Sequence, residues 1–119
     1  MKIQKFEDLI AWQKAQDLAV LIYSLFSNHH DKSFKNQICA AAVSVSNNIA
    51  EGFDRGSKNT FIHFLRISSG SCSEVKSMIY LAQRLHYLSQ EMRDSIVAKC
   101  SEISKIITGL IKSLQNNGH

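Results

Sequence analysis

The run from Gln37 to Arg55 constrains this chain more than any other stretch. Read at about 100° per residue, Gln37, Ser44, Asn48, Glu51 and Arg55 share a narrow strip of one helix face. The remaining circumference is small or apolar, with Ile38, Ala42, Val45, Ile49 and Phe53 opposite and Cys39, Val43 and Ala50 on one flank. A helix that is apolar on most sides is buried by its neighbours. Its polar strip then needs partners within the protein or across an interface, because unpaired buried polar groups cost several kcal/mol. The expectation is a polar network, internal or subunit-facing, that fixes helix register. A reactive or recognition cluster is the alternative reading of the same strip.

The rest of the chain also reads as helix. At 119 residues it is one domain (1–119), large enough to bury a core without disulfides or metal. It contains no proline and only five glycines, a composition suited to long helices rather than to sheets with tight turns. Apolar residues recur from Phe6 to Phe26 at amphipathic spacing, with Trp12 at the margin of the stripe. The polar segment Ser27–Ser33 is a loop that ends in a helix N-cap at Asp31 or Ser33. Adjacent His29 and His30 point apart on such a loop, so no metal site is expected there. A second helix spans about 34–54, with Gly56 as its stop and Ser57 as the next N-cap. A third spans about 58–87, and its length of roughly 45 Å exceeds a compact bundle. Its core face is expected to hold Phe61, Phe64, Ile67, Ser68, Ser71, Cys72, Val75, Met78, Ala82 and Leu85. The small residues Ser68, Gly70 and Ser71 would let another backbone approach. Ser89 caps a fourth helix, about 90–115, whose apolar residues repeat at near-heptad spacing. Residues 116–119 are expected to fray.

Four helices with short connections predict an all-α, antiparallel up-down four-helix bundle. Three neighbours in so small a monomer do not cover a second helix this apolar, which predicts a homo-oligomer.

Charge is uneven. Residues 1–54 carry five Lys/Arg against six Asp/Glu, and residues 55–119 carry nine against four. Lys58, Arg66, Lys76 and Arg84, interleaved with Ser69, Ser73, Ser77 and Tyr80, form one stripe of the third helix. Cations and hydroxyls around an aromatic are a face able to grip phosphates; a solvated helix surface has the same pattern.

At these residues the chain resembles the 23S rRNA intervening-sequence proteins, also called the four helix bundle protein family. The motifs are Leu9-x-x-Trp12-x-x-Ala15, Gln37-x-x-x-Ala41-Ala-Val-Ser44-Val-x-x-Asn48-Ile-Ala-Glu51-Gly52-Phe53-x-Arg55 and Phe64-Leu65-x-Ile67-Ser68-x-Gly70-Ser71-x-x-Glu74. The resemblance covers about Phe6 to Leu88. It implies a bacterial, left-handed up-down bundle that assembles as a homopentamer, with no established catalytic activity. Relatives are accessory proteins of diversity-generating retroelements, where a basic pentamer holds nucleic acid and a reverse transcriptase. Ser44, Asn48, Glu51, Arg55, Ser71 and Glu74 match the signature and constitute the expected buried network. The chain departs from the pattern where members often carry a basic pair, here Cys39 and Ala40, and in lacking a proline before the second helix. A glycine common near the end of the third helix is His86. Each lost phosphate contact weakens nucleic-acid binding and its salt dependence.

Other chemistries find little support. Glu-x-x-His never occurs, so a di-iron bundle site is absent. The three cysteines and five histidines are scattered, without zinc spacing. Cys39, Cys72 and Cys100 read as reduced core thiols of a cytoplasmic protein. A Cys72 thiol beside His63 or His86 is conceivable, as is a Glu51–Glu74 acid–base pair, but core packing and an Arg55–carboxylate network account for these residues. No segment is long and apolar enough to span a membrane. The expectation is a non-enzymatic, cofactor-free oligomer that binds RNA or DNA through its basic stripe. The competing expectation is a protein-interaction scaffold or reverse-transcriptase accessory protein with incidental nucleic-acid affinity.

Overall fold

Local capping signals start three of the four α-helices. In the computed structural model, which describes residues 3–116, the Asp31 carboxylate accepts from the Phe34 N–H at 3.1 Å and starts α2 (Lys32–Asp54). Of the two expected caps Asp31 is used, so α2 begins two residues earlier than expected. The Ser57 hydroxyl accepts from the Thr60 N–H at 3.4 Å to open α3 (Lys58–Arg84). Ser89 accepts from the Met92 N–H at 3.1 Å ahead of α4 (Gln90–Asn116). Each cap satisfies an N–H that the helix itself leaves without a partner. Residues 117–119, where fraying was expected, lie outside the described residues.

The first helix is interrupted. A short 3₁₀ turn, Phe6–Asp8, precedes α1 (Ile10–Phe26), and Leu9 between them is extended (φ −76°, ψ 125°). Extension turns the Leu9 side chain into the core, where it is buried. The Gln13 amide then donates to the Glu7 carbonyl at 2.9 Å across the break. Trp12 is half-buried at the core margin, edge-on to Phe6 with ring centroids 5.3 Å apart.

Two left-handed residues end the middle helices. Gly56 (φ 83°) follows α2, as its sequence position predicts. After α3 the left-handed residue is His86 (φ 64°), and the Tyr87 N–H reaches back to the Ala82 carbonyl at 2.8 Å. That closure stops α3 at Arg84, short of the expected residue 87. It leaves α3 and α4 equal at 27 residues, each about 40 Å long at 1.5 Å per residue, within a body of 50 × 21 × 20 Å.

Among the described residues the architecture is four α-helices without strands. Consecutive helices pack closely, most of all α2 on α3, whereas α1 and α4 touch little. The core runs along the axis through Leu18, Ile22 and Phe26 of α1, Ile38, Val45 and Ile49 of α2, Leu65, Val75 and Ile79 of α3, and Ile96, Ile103 and Ile107 of α4. Each such side chain contributes about 1.5–3 kcal/mol by leaving water. The α3 face is a correction to the expected stripe: Leu65 and Ile79 are fully buried, while Ile67 and Leu85 are 40% and 44% exposed. Packing against both α2 and α4 rotates the buried sector of α3 toward α4. Cys39, Cys72 and Cys100 are free and buried.

Candidate nucleic-acid interface

The polar strip of α2 divides into three sets. Ser44 and Ser71 share a hydrogen bond of 2.8 Å across the α2–α3 seam, and the Asn48 amide donates to the Ser44 hydroxyl and carbonyl, both at 2.8 Å. Glu51 pairs instead with Arg55 at 2.6 Å, one turn along the same helix. Glu74 accepts from Gln37 at 3.4 Å. Ser44, Asn48 and Ser71 are half-buried, and Glu51, Arg55 and Glu74 are exposed. Burial of those three charged groups inside one chain is therefore corrected: Glu51 and Arg55 at the end of α2 and Glu74 on α3 stand at the surface edge of the α2–α3 pair. The Arg55 guanidinium also lies over the Phe64 ring, 5.3 Å from its centroid.

Two further serines tie α2 to its neighbours, Ser68 from α3 and Ser46 toward α1, and were not singled out by pattern for this role. Ser68 donates to the Val45 carbonyl at 2.7 Å, and Ser46 accepts from the Gln16 amide at 3.0 Å. Ser46 stands among the apolar residues opposite the strip, a hydroxyl out of place that could have marked it. Close approach occurs at Gly52, where a Cβ would stand 2.5 Å from Phe64 Cβ. Around Gly70 nothing lies within 4 Å of such a Cβ position, so the expected approach there is not made within the chain.

The basic stripe gathers on the α3–α4 side. Arg66 lines a groove of about 360 Å³ with Ser69 of α3 and Thr108, Ile111, Lys112 and Gln115 of α4. Lys76 bridges the helices, donating to the Ser101 hydroxyl at 3.1 Å. Further along, Arg93 of α4 lies over the Tyr80 ring at 5.7 Å, donates to the Gln83 amide oxygen at 3.2 Å and pairs with Asp94 at 2.9 Å. Arg84 is exposed beyond it. Lys58 stands apart, lining an end cavity of about 680 Å³ with Leu9, Phe53, Phe61, Leu110 and Leu114. Among the described residues, ion pairs form at Lys14–Glu102, Glu51–Arg55 and Arg93–Asp94 only. Arg66, Arg84 and Lys112 thus face solvent with no carboxylate in range, the condition in which a cation is available to a phosphate. Lys112 and Arg93 are contributions of α4 that single-helix periodicity could not assign to the stripe.

The considered catalytic arrangements do not assemble. Cys72 is fully buried, its thiol directed at the Cys100 carbonyl at 3.3 Å, whereas His63 and His86 are exposed. Donation of the Cys100 S–H to the Cys72 sulfur, together with burial, pushes the Cys100 thiol well up, so that thiol remains protonated. Glu51 and Glu74 have separate partners. Among the described residues no group of three or more His, Cys, Asp or Glu side chains could hold a metal ion, and no helix is long and apolar enough to cross a membrane.

Comparison with known proteins agrees with this architecture. Residues 7–109 match the family model described as 23S rRNA-intervening sequence protein. Among solved structures the chain is similar to a protein of unknown function from the S23 ribosomal protein family of Bacteroides thetaiotaomicron. The two are 26% identical, with a TM-score of 0.80 over 87% of this chain and 96% of that one. No curated protein matches the chain.

Proposed function

Because the chain belongs to the 23S rRNA-intervening sequence protein family, we propose that it acts by binding rather than catalysis, as an oligomeric bundle holding nucleic acid along the α3–α4 groove. The observation that supports this reading is the set of carboxylate-free cations Arg66, Lys112 and Arg84 on one face, with Lys76 between them. Under the same reading the helices run antiparallel, up and down, and the protein works in the cytoplasm.

Self-association gives the groove its strength. Ile67, Glu74 and Leu81 stand at heptad spacing on the exposed edge of α3 toward α2, with Ile67 40% and Leu81 46% exposed. Together with exposed Gln37 and Glu51 they form an edge suited to a second copy, and a homopentamer is the assembly the family resemblance implies. A few weak phosphate contacts per subunit then become many on one strand.

The test is binding to an RNA fragment at two salt concentrations, with size-exclusion light scattering as the assembly control. Arg66→Glu combined with Arg84→Glu should abolish the salt-sensitive binding and leave the assembled mass unchanged. Undiminished binding by that double variant would remove the groove from consideration and favour docking of a protein, such as a reverse transcriptase, on the α2–α3 edge.

A further inference from the structure

We infer that Tyr80, seated by Arg93, is a base-stacking platform further along the α3–α4 face from the Arg66 groove, and that it makes this face a site for single-stranded nucleic acid. The inference rests on the nucleic-acid reading of this groove and adds which form of the polymer it takes.

Tyr80 is 44% exposed although it stands beside the packed α3–α4 seam. Arg93 lies over its ring, and the guanidinium is itself fixed by Gln83 and Asp94. The Arg93 side chain is only 22% exposed, and its charge is already matched by Asp94. Arg93 is therefore poorly placed to hold a phosphate, and its evident effect is to restrain the ring. An aromatic pre-set in this way loses little freedom when a base stacks on it.

The flanking groups fit a single strand. At 1.5 Å per residue, Arg66 and Lys76 are about 15 Å apart along α3, and Arg84 is about 27 Å from Arg66, with Tyr80 between the last two cations. That track is long enough only for a short strand, the low end of sites that span about 4–16 nucleotides. The hydroxyls of Ser69, Ser73 and Ser77 line the same stripe and offer phosphate contacts with no base preference. A duplex keeps its base faces stacked inside, so an exposed ring among cations gains nothing from it. A single strand presents those faces, and each base stacked on an aromatic strengthens binding whatever its sequence.

The experiment is fluorescence anisotropy of the full chain with a labelled oligo-U strand and with a mixed-sequence RNA duplex of equal length. Tyr80→Leu should weaken oligo-U binding about 5- to 150-fold and leave duplex binding unchanged. Tyr80→Phe should retain the wild-type affinity for oligo-U. Thermal melting identifies any variant that has lost its fold, and Tyr80→Phe, which keeps the ring, remains informative if Tyr80→Leu has. Equal affinity of Tyr80→Leu and wild type for oligo-U would overturn the platform. If Arg66→Glu with Lys112→Glu still lost binding in that case, the cationic groove would stand without it. Failure of the wild type to bind either polymer, or indifference to the charge reversals, would overturn the groove reading itself and the platform with it.

Discussion

The Tyr87 hydroxyl donates to the Asp31 carboxylate at 2.6 Å, joining residues 56 positions apart at one end of the bundle. Asp31 is at the same time the N-cap of α2, and Tyr87 is the residue whose N–H closes α3. One hydrogen bond therefore ties the start of one helix to the end of the next. His29 packs against the Tyr87 ring at 4.3 Å, and its Nδ1 accepts from the Asp31 N–H at 3.1 Å; the expectation that His29 and His30 point apart is corrected, because the two rings stack at 4.4 Å.

This bond should be visible in the pH dependence of stability. The Tyr87 hydroxyl, then the Phe34 N–H, hold the Asp31 carboxyl below its usual 3.8, and the same bond holds the Tyr87 phenol above its usual 10.0. Because Asp31 is lowered, its contribution is present above 3.8 and is lost as pH falls through the folded value. Because Tyr87 is raised, its contribution is complete below 10.0 and is lost as pH rises through the folded value. Melting temperatures of Tyr87→Phe across pH should lose the alkaline limb and keep part of the acid limb, since Phe34 still serves Asp31. Curves parallel to wild type at both extremes would show that the bond does not form in solution.

Gly52→Ala should destabilise the bundle by about 1–3 kcal/mol through overpacking. The added Cβ would stand 2.5 Å from Phe64 Cβ, an atom fixed to the α3 backbone that cannot swing aside. The better helix propensity of alanine, about 1 kcal/mol, offsets only part of this. Chemical denaturation measures the difference, and a variant as stable as wild type would mean α2 and α3 are not this close at that level.

His86→Gly should stabilise by about 0.5–1 kcal/mol. A non-glycine residue in the left-handed region carries a steric cost, and His86 holds φ 64° with an exposed side chain. The gain should appear as a higher denaturant midpoint at constant slope. A lower midpoint would mean the imidazole has a stabilising role.

Glu51→Ala distinguishes a covered strip from a wet one. In one chain the Glu51–Arg55 pair is about half exposed, 52% and 56%, and such a helical pair is worth about 0.3–0.5 kcal/mol. If a second copy covers it, Arg55 is left buried without its partner, at a cost of about 3 kcal/mol. The covered outcome is expected: a markedly lower melting temperature and a smaller mass by light scattering. Wild-type melting and mass would place the strip in solvent.

Local chemistry along the chain was enough to specify the four helices and most of their ends. A cap is a contact between a side chain and a backbone N–H three residues away, and Asp31, Ser57 and Ser89 each carry it locally; Gly56 marks a stop because only its own φ is at issue. The Ser44–Asn48 contact, one helical turn in length, was equally legible. Tertiary structure alone decided the rest. Extended Leu9, the Gly52–Phe64 approach and the turn of α3 that buries Ile79 and exposes Ile67 each depend on which neighbour lies alongside. So does the meeting of Arg66 with Lys112 from α4. Helical periodicity states which residues share a face, but the partner of that face is set by packing between segments distant in sequence, where the competing arrangements differ by no local signal.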